Sequence, residues 1–86
     1  MYQRQTTIKN ATGLHARPAS QLTQLCKKFP ADIRLLNGDK ATDPKSIISL
    51  LSAGLKCGTP ITVQVTGENE KAVCDEIVTF IESLTE

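Results

Sequence analysis

Ile61, Val63 and Val65 alternate with Thr62, Gln64 and Thr66, the cleanest period-two segment in the chain. Strict alternation places the apolar side chains on one face of a strand and the polar ones on the other. A sheet built around such a strand buries one face and leaves the other in water. The cover for the buried face has to come from helices of the same chain. Its 86 residues suffice for one core, so a single domain over residues 1–86 is expected, burying only about 60 to 65 per cent of the unfolded surface.

The helices announce themselves by a different period. From Ala16 to about Lys28, Ala19, Leu22, Cys26 and Phe29 recur at three- and four-residue spacing, Lys27 and Lys28 suit the negative C-terminal end, and Pro30 stops the element. From about Asn69 to Leu84, Val73, Ile77, Phe80, Ile81 and Leu84 form a second apolar stripe with acids outside. A short third helix follows Asp43-Pro44-Lys45, with Ser46 as its N-cap, Ile47-Ile48-Ser49-Leu50-Leu51 as its body and an end near Gly54.

Three more strands complete the set. Tyr2 to Ile8 reads as a half-buried strand with Tyr2, Thr6 and Ile8 on one side. Ala31, Ile33 and Leu35 alternate with Asp32 and Arg34, and Asn37-Gly38 signals a hairpin turning into Asp39 to Thr42. The order is β-α-β-β-α-β-α. A helix between the first two strands asks for a parallel, right-handed crossover, whereas the second and third form a hairpin. Placing the fourth strand between the first and second satisfies both. The expected fold is α+β: an open-faced two-layer β-sandwich, its four-stranded antiparallel sheet in the order 1-4-2-3 with three helices on one face.

Charge and cysteine usage narrow the function. Ten basic residues against nine acidic ones leave a net charge of +1, which supplies no field for nucleic acid, and Tyr2, Phe29 and Phe80 are the only aromatics available for stacking bases. No apolar run approaches the roughly 18 to 20 residues of a membrane span. Met1-Tyr2-Gln3-Arg4 leads into polar residues rather than a signal-peptide core, so a cytoplasmic protein without membrane insertion is expected. Cys26, Cys57 and Cys74 lie too far apart for a zinc site or a redox dithiol; Cys26 and Cys74 fall on helical apolar stripes, and Cys57 falls in a loop. No metal and no cofactor are expected, and a monomer is the default state.

The chemistry concentrates in Gly13-Leu14-His15-Ala16-Arg17-Pro18, which contains the only histidine. Proline has no N–H and is tolerated only in the first turn of a helix, so the helix begins close to residue 16 and His15 occupies or adjoins its N-cap. There the first-turn amides and the helix dipole favour an anion. Arg17 adds a planar, permanently charged fork that suits phosphate oxygens, and Gly13 allows a tight approach of the entering chain. Positive partial charge beside an imidazole favours its neutral, nucleophilic form, and phosphorylation turns the same field into a stabilising one. The segment suits a reversible phosphoryl carrier. A lone histidine at a helix start is more often a surface or capping residue; the combination with Arg17 and Pro18 separates this one from that background.

The run Gly13-Leu14-His15-Ala16-Arg17-Pro18-Ala19 resembles the active-site signature of HPr, the histidine-containing phosphocarrier family of the bacterial phosphoenolpyruvate-dependent sugar phosphotransferase system. A second segment, Lys45 to Gly54, resembles that family's regulatory serine and the short helix after it, and length and element order extend the resemblance over essentially the whole chain. The resemblance implies the same strand order, 1-4-2-3. It implies that His15 takes a phosphoryl group on ring Nδ1 from Enzyme I, charged by phosphoenolpyruvate, and passes it to sugar-specific Enzyme IIA proteins. Arg17 would steady the phosphoryl oxygens, Thr12 would line the site loop in a supporting role, and Ala16 and Pro18 would shape the first turn.

Ile47, Ile48, Leu50, Leu51 and Leu55 are more large aliphatics than one buried face of a short helix can use. Leu50 and Leu55 are assigned to the core. Ile47, Ile48 and Leu51 are assigned, on the family's use of this surface, to contact with partners, although many Gram-positive relatives carry methionine at the positions of Ile48 and Leu51. As an N-cap, Ser46 is worth about 1 kcal/mol, a sufficient structural reason for it. The resemblance adds regulation at Ser46 by HPr kinase/phosphorylase, curbing transfer and licensing binding to a catabolite control protein. An alternative is an HPr-like corepressor-binding protein with little carrier activity; such relatives lose the histidine, which is present here. The sugars served, the presence of a Ser46 kinase and the approach of the Glu86 carboxylate to the site are left open by the sequence.

Overall fold

The alternating segment forms the middle of the sheet. In the computed structural model, which describes residues 1–84, the elements are β1 (Tyr2–Thr7), α1 (Ala16–Lys27), β2 (Asp32–Asn37), β3 (Lys40–Thr42), α2 (Ile47–Ala53), β4 (Pro60–Thr66) and α3 (Glu70–Ser83). The Glu86 carboxylate lies outside the described residues. β4 pairs antiparallel with β1 on one side, Arg4 opposite Val63, and with β2 on the other, Leu35 opposite Val63; the order is β1-β4-β2-β3. The fold is the expected α+β sandwich with three helices.

Alternation decides which face is covered. Ile61, Val63 and Val65 are buried with Ile33 and Leu35 of β2, while Thr66 is exposed and Thr62 and Gln64 are half-buried. From the helices, Ala19, Leu22 and Cys26 of α1, Leu50 of α2, and Val73, Cys74, Ile77, Val78 and Ile81 of α3 close the same core. α3 buries paired positions, 73 with 74 and 77 with 78, because it lies over β1 and β4 and also meets α1. That wide stripe takes in Val78, which the narrower spacing omits, and leaves Phe80 and Leu84 only half-buried. β1 offers α3 polar groups, and α3 answers with acids: Thr6 Oγ1 donates to Glu82 Oε2 at 2.7 Å and Arg4 pairs with Asp75 at 3.1 Å.

The hairpin sits one residue later than Asn37-Gly38 suggests. Asn37 pairs with Lys40, so Gly38 and Asp39 are the two central residues. Gly38 has φ +61° and Asp39 is not among the residues at positive φ. This is the pattern of a turn needing glycine at its first central position, whereas a type I′ turn would need positive φ at both.

Cys26 and Cys74 are buried and Cys57 is exposed, as their placement in helices and loop implies. Burial pushes the Cys26 thiol up to about 12, with smaller opposing effects of Lys45 and Asp43. Burial also raises Cys74, whose Sγ donates to the Val63 carbonyl at 3.4 Å.

Candidate functional site

The site is the turn from β1 into α1. Ile8, fully buried just past β1, donates its amide to the Thr59 carbonyl at 2.9 Å and accepts from the Gly58 amide at 2.6 Å. This fastens the start of the site loop to the segment between α2 and β4. Asn10 to Gly13 then forms a turn closed by the Gly13 amide donating to the Asn10 carbonyl at 3.0 Å. Gly13 has φ +66°, and a Cβ there would collide with the Leu55 carbonyl oxygen and come within 2.8 Å of Lys56 Cα. Only glycine lets these loops meet. Leu14 is buried and donates its amide to the same Leu55 carbonyl at 2.8 Å.

His15 follows as the N-cap of α1, extended at φ −93° and ψ −165°. Its imidazole is exposed and makes no capping bond, so its two nitrogens are not committed to holding the helix start. Its carbonyl accepts the Ala19 amide at 2.8 Å, the first turn's hydrogen bond. The amides of Ala16 and Arg17 precede that bond, and Pro18, at the third helical position, brings none. Pro18 and Ala19 are buried, which anchors the turn, while Ala16 and Arg17 are exposed beside His15. The first turn contains no acidic residue to compete with an incoming anion. Thr12 is exposed at the tip of the preceding turn.

Ser46 stands apart from this group. It caps α2, accepting the Ser49 amide on Oγ at 3.3 Å, and is half-exposed. Its approach is braced: the Ser46 amide donates to the Asp43 carbonyl at 3.1 Å, and Lys45 Nζ donates to the carbonyls of Phe29 and Ala31 at 2.7 and 2.8 Å. α2 is closed at its C-terminal end by Gly54, which is in the left-handed conformation, and Leu55 beyond it holds the site loop. Leu50 and Leu55 are buried, whereas Ile47, Ile48 and Leu51 are 37%, 73% and 45% exposed. Apart from Met1 they are the exposed large hydrophobics among the described residues.

The sequence reading passes over Asn10, which is buried and donates from Nδ2 to the Gly13 carbonyl at 2.7 Å. The available signal is an asparagine three residues before a glycine, a pairing typical of turns. A surface hollow on the open face of the sheet, among Gln5, Thr7, Leu36, Asn37 and Thr62, includes no residue of the site loop. Among the described residues no three His, Cys, Asp or Glu side chains gather as metal ligands, and no helix is long and apolar enough to cross a membrane.

Residues 2–83 match the family model described as the PTS HPr component phosphorylation site. The chain is 34% identical over 84 residues to the phosphocarrier protein HPr of Vibrio cholerae, covering 98% of this chain and 99% of that one. It is 38% identical over 79 residues to a multiphosphoryl transfer protein of Xanthomonas campestris pv. campestris; these make up 92% of this chain and only 9% of that protein. Among solved structures, HPr of Thermoanaerobacter tengcongensis superposes with a TM-score of 0.91 at 35% identity, over 96% of this chain and 93% of that chain.

Proposed function

The chain belongs to the PTS HPr family, and from that premise we propose that it is a cytoplasmic phosphoryl carrier in which His15 is the acceptor, working as a single domain. The observation that carries this reading is the exposed, uncapped imidazole at the start of α1, with Arg17 on the same turn. Phosphorylated Enzyme I is the donor and sugar-specific Enzyme IIA proteins are the acceptors. The lone pair of His15 Nδ1 forms a bond to phosphorus as the donor's bond breaks, and the reverse exchange hands the group on. The chain completes no reaction alone, so it is a carrier rather than an enzyme, and it calls on no cofactor.

Arg17 offers its guanidinium to the phosphoryl oxygens, and the Ala16 and Arg17 amides lie at the positive end of the helix. Ala16 and Pro18 shape that turn, and Thr12 borders it. Ile47, Ile48 and Leu51 supply the apolar contact for transient complexes, which bury modest areas. Ser46 is the regulatory position: a kinase adding a phosphate there would place dianionic charge at the start of α2.

Incubation with Enzyme I and phosphoenolpyruvate should yield one acid-labile, base-stable phosphate. His15→Ala abolishes it, and Arg17→Ala slows transfer by about 10- to 100-fold while leaving the circular dichroism unchanged. Phosphate uptake by the His15→Ala protein would refute the assignment. Phosphoserine at residue 46, sought by mass spectrometry across carbon sources, decides the regulatory role.

A further inference from the structure

The Gly13–Leu14 peptide, two residues ahead of the acceptor, is gripped at both ends. Its carbonyl accepts from Asn10 Nδ2 at 2.7 Å, and its N–H donates to the Leu55 carbonyl at 2.8 Å. A peptide is a rigid plane, so two bonds at opposite edges fix its rotation. That rotation is otherwise cheap here, because Gly13 has no Cβ and stands at φ +66°. The glycine that lets the loops meet would also let the mount of His15 swivel.

Asn10 is shaped for this restraint. It is only 3% exposed, its carbonyl holds the Gly13 amide, and its side chain holds the Gly13 carbonyl, so one residue grips both polar groups of the glycine. The reverse orientation of the side-chain amide would set oxygen against oxygen, which fixes the donor as the nitrogen. Its Oδ1 has no hydrogen-bond partner among the described residues. A buried acceptor of that kind weakens the folded state, so the side chain's contribution lies in its donor. Downstream, the buried Leu14 side chain and the bond from the Ala19 amide to the His15 carbonyl pass the restraint to the N-cap.

We propose that Asn10 is a positioning residue for phosphoryl transfer: by holding the Gly13 carbonyl, its side-chain amide fixes the peptide from which His15 is presented. The proposal rests on the carrier reading. Transfer needs the acceptor nitrogen in line with the donor's phosphorus, and small misplacements are costly in rate.

The test is single-turnover phosphorylation by Enzyme I and phosphoenolpyruvate, with amide hydrogen exchange at Leu14 followed by NMR. Asn10→Ala should lower the maximal transfer rate about tenfold and shift half-saturation by less than about twofold, because the partner surface is untouched. Leu14 exchange should quicken about tenfold, while the amides of β4 keep their protection. Asn10→Asp keeps the shape without the N–H donor and should be as slow as Asn10→Ala. Wild-type transfer by either folded variant, or unchanged Leu14 exchange in Asn10→Ala, overturns the proposal and leaves the carrier reading standing. A wild-type protein that takes no phosphate overturns both.

Discussion

Gly13 is the residue on which the site's geometry turns. Gly13→Ala combines a positive φ with a Cβ driven into the backbone of Leu55 and Lys56, neither of which can swing aside as a side chain could. Urea denaturation should show a loss of about 2–4 kcal/mol. A milder effect would mean that the two loops separate easily. Cys26 gives a second expectation. Its thiol is held neutral by burial, with its titration pushed up to about 12. An unfolded thiol ionises near pH 8.5, so this contribution to stability is complete below that value and is lost as pH rises toward 12. Stability should therefore fall from about pH 9 to 11, with a shallower slope in Cys26→Ala. A thiol reagent at neutral pH should modify Cys57 alone in the native protein. The roles of His15, Pro18 and Ser46 in the helix starts are legible because each depends on the few residues around it. Asn10 is not, because a turn asparagine ordinarily faces water and nothing beside it in the sequence marks this one as buried.

At the scale of elements, period-two and period-3.6 patterns locate the longer ones, while the Asn37-Gly38 turn signal locates β3 and the Ser46 cap with Gly54 locates α2. The residual differences arise where two elements share a decision. The hairpin shifts by one residue because the ladder closes at Asn37 and Lys40, leaving the turn to the only residue there at positive φ. Lys45 is the same lesson in charge. Its ammonium bridges the carbonyls of Phe29 and Ala31 in the connection from α1 to β2, a role that its place between proline and serine does not announce. The bridge ties the start of α2 to a neighbour that sequence spacing does not reveal. Lys45→Met keeps the aliphatic stem and removes both charge-assisted bonds. It should cost about 2–4 kcal/mol, read from the urea midpoint. A loss below about 0.5 kcal/mol would show the bridge to be incidental.

Over the whole molecule, one chain presents two kinds of surface through α1 and α2: a charged, polar start of α1 and an apolar strip on α2. Ile48 is 73% exposed, so Ile48→Asp should change folding stability by less than about 0.5 kcal/mol. The same substitution should weaken the complex with Enzyme I about tenfold or more in titration calorimetry, as expected for a central apolar contact. Unaltered affinity would move the docking surface elsewhere. Strand order is legible in that a fourth strand between the first and second satisfies the crossover and the hairpin together, and the family resemblance implies the same order. That order also governs how the molecule comes into being. β1 makes its sheet bonds only with β4, and so does the β2–β3 hairpin on its free side. A nascent chain released only as far as residue 59 therefore holds a lone strand, a hairpin and the helices beside them, with no sheet to join them. Assembly waits for the last strand to close long loops on both sides at once. Such a topology weights the fold toward contacts between distant parts of the sequence, and it leaves the apolar faces of the early elements exposed until β4 has emerged.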